Sequence, residues 1–527
     1  MKILRGISAL VAVLAVSVTE LAQAPAPART QYGLVQGTIQ EGVAIYKGIP
    51  FAAPPVGDLR WRAPQPAAAW TGVRAADKFA PGCEQNIVVM PALGIEGFPI
   101  SEDCLYLNVW TPAKSPSERL PVMVWIYGGG FSIGGTAIGT YDGMKFAKKG
   151  VLLVSIAYRV GPFGFLAHPE LGAENGGHSG NYGLLDQIVG LKWVQQNIAA
   201  FGGDPHRVTI FGESAGGISV SMLAASPLAK GLFQRAISES GGSFGPARTG
   251  NEGGTNVPPL STLEKRGADF FTKLGATSVA DARKVSAETI LKSQPPGLGG
   301  GWWPNFDGYV LPGDQYGLYE AGRYNDTPIL IGTNADEGAL FVATTTATAY
   351  ESSVKSGYGE YADKILAAYP ASSDAEALRS ARDLARDSTF GWHTWTWARL
   401  QAKTGKGKVF LYYFTHRPQY PDTPQFKSYG ASHGAEIAYV FGNFAAAMPP
   451  TAADTELSEM IMSYWTNFAR TGDPNGKGLA EWPAYTTAKP AAMILDNAVK
   501  SGPVPNLEKL QVLDGYYAWR RQSEAKR

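Results

Sequence analysis

The chain of 527 residues is 45% hydrophobic and 17% charged, and its 46 Lys and Arg residues nearly balance its 45 Asp and Glu residues. Such an apolar composition excludes intrinsic disorder. The net charge of +1 gives no compositional support for general attraction to nucleic acid or to an anionic membrane. The length allows about three domains of ~150 residues or one large domain. With 2 Cys and 6 His residues, chemistry that uses these side chains has few possible positions.

Residues 1–24 have the pattern of a secretory signal peptide. A basic start precedes the apolar run Ile7–Val18, and Ala22–Ala24 forms an A-x-A cleavage site. The run is shorter than the ~20 apolar residues that a membrane helix needs. The sequence therefore predicts an exported protein, periplasmic or secreted, without a membrane anchor.

Export makes the two cysteines, Cys83 and Cys104, candidates for a disulfide, because disulfides persist in oxidising compartments. A bridge closing this loop would stabilise the fold by roughly 3 kcal/mol in the chain-entropy model. The alternative is a pair of free buried thiols. Two Cys residues cannot complete a zinc site unaided, and the histidines lack His-x-x-His or His-x₃-His spacing, so we predict neither a metal nor another cofactor.

The pattern of apolar segments predicts a mostly parallel α/β sheet. Gly33–Lys47 has the alternation of short antiparallel strands at an edge of the sheet. A helix over Leu184–Ala199 lies between two predicted strands, which indicates a right-handed parallel crossover. No linker-like tract divides the chain, so one domain over residues 25–527 is expected. The near-continuous apolar runs, typical of strands buried on both faces, are Leu120–Tyr127, Val151–Ala157, Arg207–Phe211, Pro328–Gly332 and Lys408–Phe414.

A glycine run, Gly128 to Gly130, directly follows the first of these strands. Without Cβ atoms, Gly129 and Gly130 can bring their N–H groups close to a bound oxyanion. A nucleotide-phosphate loop does not fit, because the third glycine of that motif and a Walker-type Gly-Lys-Ser/Thr are both missing. A purely structural glycine turn stays open as the alternative.

The pattern G-x-S-x-G occurs around Ser132, Ser214, Ser243 and Ser432, so the pattern alone identifies no nucleophile. A nucleophile elbow needs a strand before the serine and a helix after it. Only Ser214 has both, because Ser132 leads into a loop, Ser243 follows a helix-like stretch and Ser432 lies in coil. Ser214 is therefore the predicted nucleophile, and the N–H of Ala215 is a further oxyanion donor. The alternative is a structural turn.

A serine nucleophile needs a base, and histidine titrates in the right range. In an α/β-hydrolase the base follows both the serine and the acid in the chain. This order leaves His393, His416 and His433. His433 lies in a loop that enters a helix and is the predicted base, whereas His393 lies in an aromatic helix and His416 at a strand end. The acid should follow the strand Pro328–Gly332. Either Asp336 or Glu337 could orient the imidazole on chemical grounds alone. The histidines excluded by chain order, interpreted as surface or loop residues, are His168, His178 and His206.

Several motifs together resemble the type-B carboxylesterase/cholinesterase family and cover nearly the whole chain after residue 33. The strongest are Tyr127–Phe131 (YGGGF), Gly212–Gly217 (GESAGG) and Ser101–Trp110 (SEDCLYLNVW). The resemblance implies an α/β-hydrolase fold with a large, mostly parallel central sheet flanked by helices and insertions around an active-site gorge. It also implies carboxylic-ester hydrolysis through an acyl-enzyme intermediate.

The resemblance further assigns roles to individual residues. It implies Glu337 as the acid, Ser240 as a buried serine supporting the acid–base pair, and Glu213 as the carboxylate beside the nucleophile. The loop after Cys83 lacks the Trp that holds quaternary ammonium in cholinesterases, so we do not expect a specialist for choline esters. The aromatic-rich composition is compatible with an apolar or aryl small-molecule ester as substrate, and we expect no nucleic-acid partner. Trp302 and Trp303 could line the substrate pocket or be ordinary core aromatics. Amide, carbamate, thioester or lactone hydrolysis, or a binding protein without activity, stay open as alternatives.

Overall fold

The computed structural model describes residues 25–87, 96–247, 256–295, 301–424 and 426–525. The predicted signal peptide, residues 1–24, lies outside the described residues. None of the helices in the described part of the chain is long and apolar enough to cross a membrane.

The strands are β1 Ala28–Arg29, β2 Leu34–Gln36, β3 Thr38–Gln40, β4 Val43–Pro50, β5 Val73–Ala75, β6 Gly82–Cys83, β7 Ile100–Ser101, β8 Tyr106–Thr111, β9 Leu120–Ile126, β10 Leu152–Ile156, β11 Gly203–Glu213, β12 Arg235–Glu239, β13 Ile329–Asn334, β14 Val409–Phe414, β15 Ala491–Leu495 and β16 Lys500–Pro503.

The α-helices are α1 Met144–Lys148, α2 Gly161–Phe165, α3 Pro169–Glu174, α4 Tyr182–Asn197, α5 Ala215–Ala225, α6 Leu260–Lys273, α7 Val279–Lys284, α8 Ala287–Ser293, α9 Gln315–Glu320, α10 Ala347–Tyr358, α11 Ala362–Ala368, α12 Asp374–Arg386, α13 Trp392–Thr404, α14 Ile437–Phe441, α15 Ala452–Thr471 and α16 Leu507–Ala525. A π-helical turn, Asp387–Gly391, joins α12 to α13.

A large mixed sheet forms the centre of the molecule. Within the described residues it has eleven strands in the order β16-β15-β14-β13-β12-β11-β9-β10-β8-β4-β3. All neighbours from β15 across to β10 pair in parallel, and antiparallel pairs occur at both edges. The central strands are buried along most of their length because helices cover both faces. The predicted mostly parallel sheet is confirmed.

Most of the predicted elements are found within one to four residues of their expected ends. Of the antiparallel edge strands predicted in Gly33–Lys47, β3 and the start of β4 lie at the edge of the large sheet. Strand β2 instead belongs to a separate three-stranded sheet with β1 and β5. The predicted helix Leu184–Ala199 is α4, which begins two residues earlier, at Tyr182. One expectation was wrong: the helix-like stretch before Ser243 contains the buried strand β12. His168 lies in the loop before α3, one of its two predicted settings, but it is buried, and its ring accepts a hydrogen bond from the Glu170 N–H.

The parallel strands bring distant loops to one edge of the sheet. Carboxyl ends of neighbouring parallel strands lie together, and this edge is where open α/β sheets bind ligands. Here β9 leads into the glycine run, β11 into Ser214, β12 into Ser240 and β13 into the segment with Glu337. The segment after β14 returns to the same edge with His433. The topology therefore gathers residues that are more than 200 positions apart in the chain.

Candidate active site

Ser214 occupies a strained turn between strand β11 and helix α5. Its backbone has φ +56° and ψ −123°, a combination that L-residues rarely adopt. The flanking Gly212 and Gly216 cannot be replaced without cost, because a Cβ at either would meet the Ile126 carbonyl oxygen at 2.5 or 2.0 Å. The two glycines of the motif thus let the turn pack directly against β9, with the serine at the start of α5.

The side chains of Ser214, His433 and Glu337 form a continuous hydrogen-bonded line. The Ser214 Oγ lies 2.8 Å from His433 Nε2, and His433 Nδ1 lies 2.5 Å from Glu337 Oε2. With Nδ1–H donating to the carboxylate, Nε2 is free to accept the serine hydroxyl proton. The Glu337 side chain is fully buried and that of His433 is 9% exposed. This arrangement can remove a proton from Ser214 while the imidazole gains one.

The geometry distinguishes the two carboxylates that the sequence left open. Glu337 contacts the imidazole, whereas Asp336 is exposed and its Oδ2 accepts a hydrogen bond from the Ala431 N–H at 2.8 Å. The Asp336 N–H in turn donates to the Ala431 carbonyl oxygen at 2.9 Å. Asp336 therefore ties the loop that carries Glu337 to the loop that carries His433.

Two donors hold the second oxygen of the Glu337 carboxylate. The Ser240 hydroxyl donates to Glu337 Oε1 at 2.5 Å, and the Asn334 N–H donates to the same oxygen at 2.8 Å. Ser240 is fully buried and has φ +49°, so its side chain points inward from another constrained turn. The expected supporting position of Ser240 is found, and the backbone donor of Asn334 is an addition that no side-chain pattern could predict.

The three expected oxyanion donors lie in the wall of one cavity beside Ser214. Gly129, Gly130 and Ala215 all line this cavity together with Ser214 and His433. Gly129 and Gly130 have φ +104° and +61°, and a Cβ on Gly129 would meet the Ile133 carbonyl oxygen at 2.3 Å. Ala215 is the first residue of α5, where N–H groups point out of the helix and favour negative charge.

Glu213 places a second carboxylate near the Nε2 edge of the imidazole. Its Oε1 lies 3.3 Å from His433 Nε2, and its side chain is 6% exposed. Burial raises the pKa of Glu213, whereas the nearby His433 lowers it. Burial alone would lower the pKa of the His433 imidazole, but the carboxylates of Glu213 and Glu337 raise it above its ordinary value.

Two further buried carboxylates, Glu239 and Glu436, lie behind this site. Burial is the main cause that raises the pKa of both, and the charge of Glu213 raises each of them further. Glu239 accepts a hydrogen bond from the Trp465 indole N–H at 2.8 Å, and Glu436 accepts one from the Asn334 amide. The raised pKa values mean that both groups retain a proton more readily than exposed glutamates do, which limits the negative charge stored around His433. Neither residue was predicted, because nothing in their local sequence signals burial.

The cavity above Ser214 has a volume of about 580 Å³ and a largely apolar wall. Its charged groups are Glu213, His433 and Asp454, and the described lining contains no Lys or Arg. Asp454 already accepts hydrogen bonds from His416, Tyr439 and Thr451. The larger apolar side chains of the wall are Phe98, Ile133, Ile138, Trp303, Phe341, Phe390, Phe444 and Met448.

The two tryptophans whose roles were open have different surroundings. Trp303 lines the cavity and packs edge-on against Phe131, with ring centroids 4.8 Å apart. Trp302 is buried in the core, 4.9 Å from the ring of Phe270. Only the first is therefore positioned to touch a bound substrate.

Cys83 and Cys104 form a disulfide, as expected. Both residues are fully buried, and the loop that they close contributes Gln85, Ile87 and Phe98 to the cavity wall. The bridge therefore fixes both ends of a loop that borders the cavity. In the part of the chain that the structure describes, no three His, Cys, Asp or Glu side chains cluster as metal ligands would.

A serine on a strained strand–helix turn, followed in the chain by a buried acid and a histidine at the same edge of a parallel sheet, defines the α/β-hydrolase class. The chain belongs to the carboxylesterase family, whose model matches residues 25–512. It is therefore a carboxylic-ester hydrolase, and the recognition made from the motifs is confirmed.

Characterised relatives and solved structures agree with this family. The chain is 39% identical over 473 residues to fumonisin B1 esterase of Sphingopyxis macrogoltabida, covering 86% of this chain and 84% of that protein. It is 37% identical over 492 residues to para-nitrobenzyl esterase of Bacillus subtilis strain 168, covering 92% of this chain and 97% of that protein. A solved structure of PNB esterase superimposes with a TM-score of 0.80 at 35% identity, over 92% of this chain and 99% of that one.

The charge of Glu213 should be visible in the titration of His433. In protein carrying ¹³C-labelled histidine, we expect the His433 imidazole to titrate above pH ~6.5, the ordinary value. Glu213→Gln removes a negative charge 3.3 Å from Nε2, which destabilises the imidazolium. The NMR midpoint should therefore fall by about one pH unit or more.

The His433→Gln variant assigns the resonance, and Glu288→Gln is the matched control. Glu288 is an exposed carboxylate that pairs with Lys292 on the surface. Equal midpoints in the Glu213→Gln and Glu288→Gln variants would show that Glu213 does not set the charge state of the imidazole.

Proposed function

We propose that the protein hydrolyses small, neutral, apolar or aryl carboxylic esters with Ser214 as nucleophile, His433 as general base and Glu337 as the acid that orients the imidazole. The observation that carries this proposal is the line of contacts from Ser214 Oγ through His433 to Glu337, with distances of 2.8 and 2.5 Å. Such a line is the recurrent arrangement for activating a serine hydroxyl.

The first half of the reaction transfers the acyl group to Ser214. His433 Nε2 takes the hydroxyl proton as the serine oxygen attacks the ester carbonyl, and the Glu337 carboxylate stabilises the imidazolium that forms. The N–H groups of Gly129, Gly130 and Ala215 would bind the oxyanion. The imidazolium then donates its proton to the leaving alcohol, and the alcohol departs from the acyl-enzyme.

Water completes the cycle by the same route. His433 removes a proton from the water as its oxygen attacks the acyl carbon, and the proton then returns to the Ser214 oxygen as the carboxylic acid leaves. Glu337 keeps a proton on His433 Nδ1 throughout, because Ser240 and the Asn334 N–H fix its other oxygen.

The lining of the cavity supports the choice of substrate. Aromatic and aliphatic side chains surround Ser214, and a volume of about 580 Å³ suits a small aryl or alkyl ester. The name of one relative, para-nitrobenzyl esterase, supports a chromogenic aryl ester as the first substrate to test.

Export of the protein is a further part of this proposal. The pattern of residues 1–24 supports it, and so does the Cys83–Cys104 disulfide, since such bridges are typical of oxidising compartments.

Ser214→Ala should abolish turnover of p-nitrobenzyl and p-nitrophenyl esters without unfolding the protein. Removing the nucleophile of a triad typically costs at least ~10⁴-fold in kcat, since only binding and the oxyanion donors stay in place. Steady-state kinetics with a matched circular dichroism spectrum measures this. Wild-type kcat in the folded variant would contradict the assignment.

The acidic pair provides a matched comparison within the same loop. Glu337→Gln leaves His433 Nδ1 without its charged partner and should reduce kcat by ~10²–10⁴-fold. Asp336→Asn changes a neighbouring exposed carboxylate that does not touch the imidazole, so its effect should stay below ~10-fold. Equal losses in the two variants would mean that Glu337 has no special role.

A cavity that contains carboxylates but no described Lys or Arg should reject anionic acyl groups. We expect mono-p-nitrophenyl glutarate to have a kcat/KM about 30- to 150-fold below that of p-nitrophenyl valerate, because a charge ~6 Å from a carboxylate is repelled by ~2–3 kcal/mol at an effective dielectric of ~20. The methyl ester of the glutarate substrate is the control and should recover most of the loss. Equal kcat/KM for the charged and neutral substrates would contradict neutral-ester selectivity.

A further inference from the structure

The face of the His433 imidazole is covered by the ring of Phe390. The two ring centroids are 4.5 Å apart and the planes differ by 16°, so the rings are stacked. Phe390 is 3% exposed and also lines the cavity. The edges of the imidazole meet Ser214, Glu213 and Glu337, whereas this face meets an aromatic ring.

Phe390 belongs to the π-helical turn Asp387–Gly391, which interrupts an otherwise continuous helix. Such turns insert an extra residue into a helix and occur frequently at functional sites. The inserted residue changes the direction in which the following side chains point. The turn is thus a local departure from helical geometry at the point where the helix faces His433.

One end of this turn is anchored to the loop that carries Glu337. The Arg386 guanidinium holds the Asp387 carboxylate with contacts of 2.7 and 2.9 Å, and it also donates to the Ala335 carbonyl oxygen at 3.0 Å. The Tyr369 hydroxyl donates to Asp387 at 3.0 Å. Ala335 lies two residues before Glu337, so the turn and the acid are tied to one another.

The other end is anchored to the loop that carries Ser240. The ring of His393 accepts a hydrogen bond from the Phe244 N–H at 2.9 Å, and the Thr394 hydroxyl donates to the Gly241 carbonyl oxygen at 3.2 Å. Phe390 is therefore held between the two loops that position the acid, and its ring is fixed relative to the imidazole.

Among the described residues, the carboxylates paired with the imidazole meet its edges and not this face. Glu337 lies at Nδ1 and Glu213 at Nε2. A second ring, that of Phe341, is tilted by 52° at 5.2 Å and is 46% exposed. An aromatic face attracts a cation by its negative quadrupole, and this attraction strengthens when water is excluded.

We propose that Phe390 is a positioning residue that stabilises the imidazolium form of His433 through the face of its ring. This inference rests on the proposed function, in which the imidazolium forms during both acylation and deacylation. The ring holds the plane of the imidazole in line with Ser214 and Glu337, and it favours the state in which the proton has left the serine or the water.

The test compares Phe390→Leu with Phe390→Tyr in pH profiles of kcat and kcat/KM. Leucine fills similar space without a quadrupole, so the acid-limb midpoint should fall by about half a pH unit, since an attraction of ~0.5–1 kcal/mol is lost. For the same reason the plateau of kcat should fall about 2- to 5-fold. Tyrosine retains an aromatic face, so the Phe390→Tyr variant should have the wild-type midpoint and a kcat plateau within about twofold of wild type.

Phe444→Leu is the matched control, because Phe444 lines the same cavity but packs edge-on against Tyr439, 5.1 Å away, instead of His433. Its midpoint should stay at the wild-type pH even if KM changes. Phe390→Met replaces the Leu variant if that variant does not fold, and ¹³C-histidine titration reads the midpoint without turnover. A wild-type midpoint and plateau in the folded Leu or Met variant would overturn the inference.

The outcomes also separate this inference from the proposed function. Activity that survives in both Ser214→Ala and His433→Ala would overturn the triad and the inference together. An inactive pair of triad variants with wild-type profiles in the Phe390 variants would overturn the role of Phe390 alone.

Discussion

The contact between the buried Glu337 carboxylate and His433 Nδ1 is the interaction on which the rest of the site depends. A fully buried carboxylate is costly unless charge and hydrogen bonds compensate it, and here the imidazole, the Ser240 hydroxyl and the Asn334 N–H provide that compensation. Each partner comes from a different segment at the carboxyl edge of the sheet: Ser240 follows β12, Asn334 ends β13 and His433 follows β14. The parallel order of β12, β13 and β14 therefore makes the site possible, since it brings these segments within hydrogen-bonding distance.

Several buried carboxylates close to one imidazole would be destabilising if all were charged. Burial raises the pKa of Glu213, Glu239 and Glu436, so these groups retain protons more readily than exposed glutamates do. The charges that raise the pKa of the His433 imidazole are those of Glu213 and Glu337. The aromatic wall of the cavity excludes water from the same groups, and this strengthens both the ionic contact at Nδ1 and the stacking on the ring face.

Much of the fold and site could be predicted from local sequence. The apolar runs identified the main parallel strands, and the strand before Ser214 and the helix after it distinguished this serine from Ser132, Ser243 and Ser432.

The features that could not be predicted depend on packing between segments that are distant in the chain. The choice between Asp336 and Glu337 depends on which carboxylate faces inward, and local chemistry does not encode this. The segment that forms strand β12 has a helix-like local sequence. It is a strand because its buried position between β11 and β13 overrides local propensity. The stacking of Phe390 on His433 joins side chains from separate segments, so no local sequence pattern predicts it.

The most direct measurement of the central claim is the identity of the residue that becomes acylated during turnover. A carbamate ester of p-nitrophenol would trap the covalent intermediate, because the carbamoyl group is released slowly from the enzyme. The reaction is stopped in acid after p-nitrophenol has been released once, and the modified peptide is identified by mass spectrometry. We predict one added carbamoyl group per chain, on the peptide that contains Ser214, and no adduct in the His433→Ala variant. Rapid release of p-nitrophenol with the adduct on another serine, or with no adduct at all, would contradict the account.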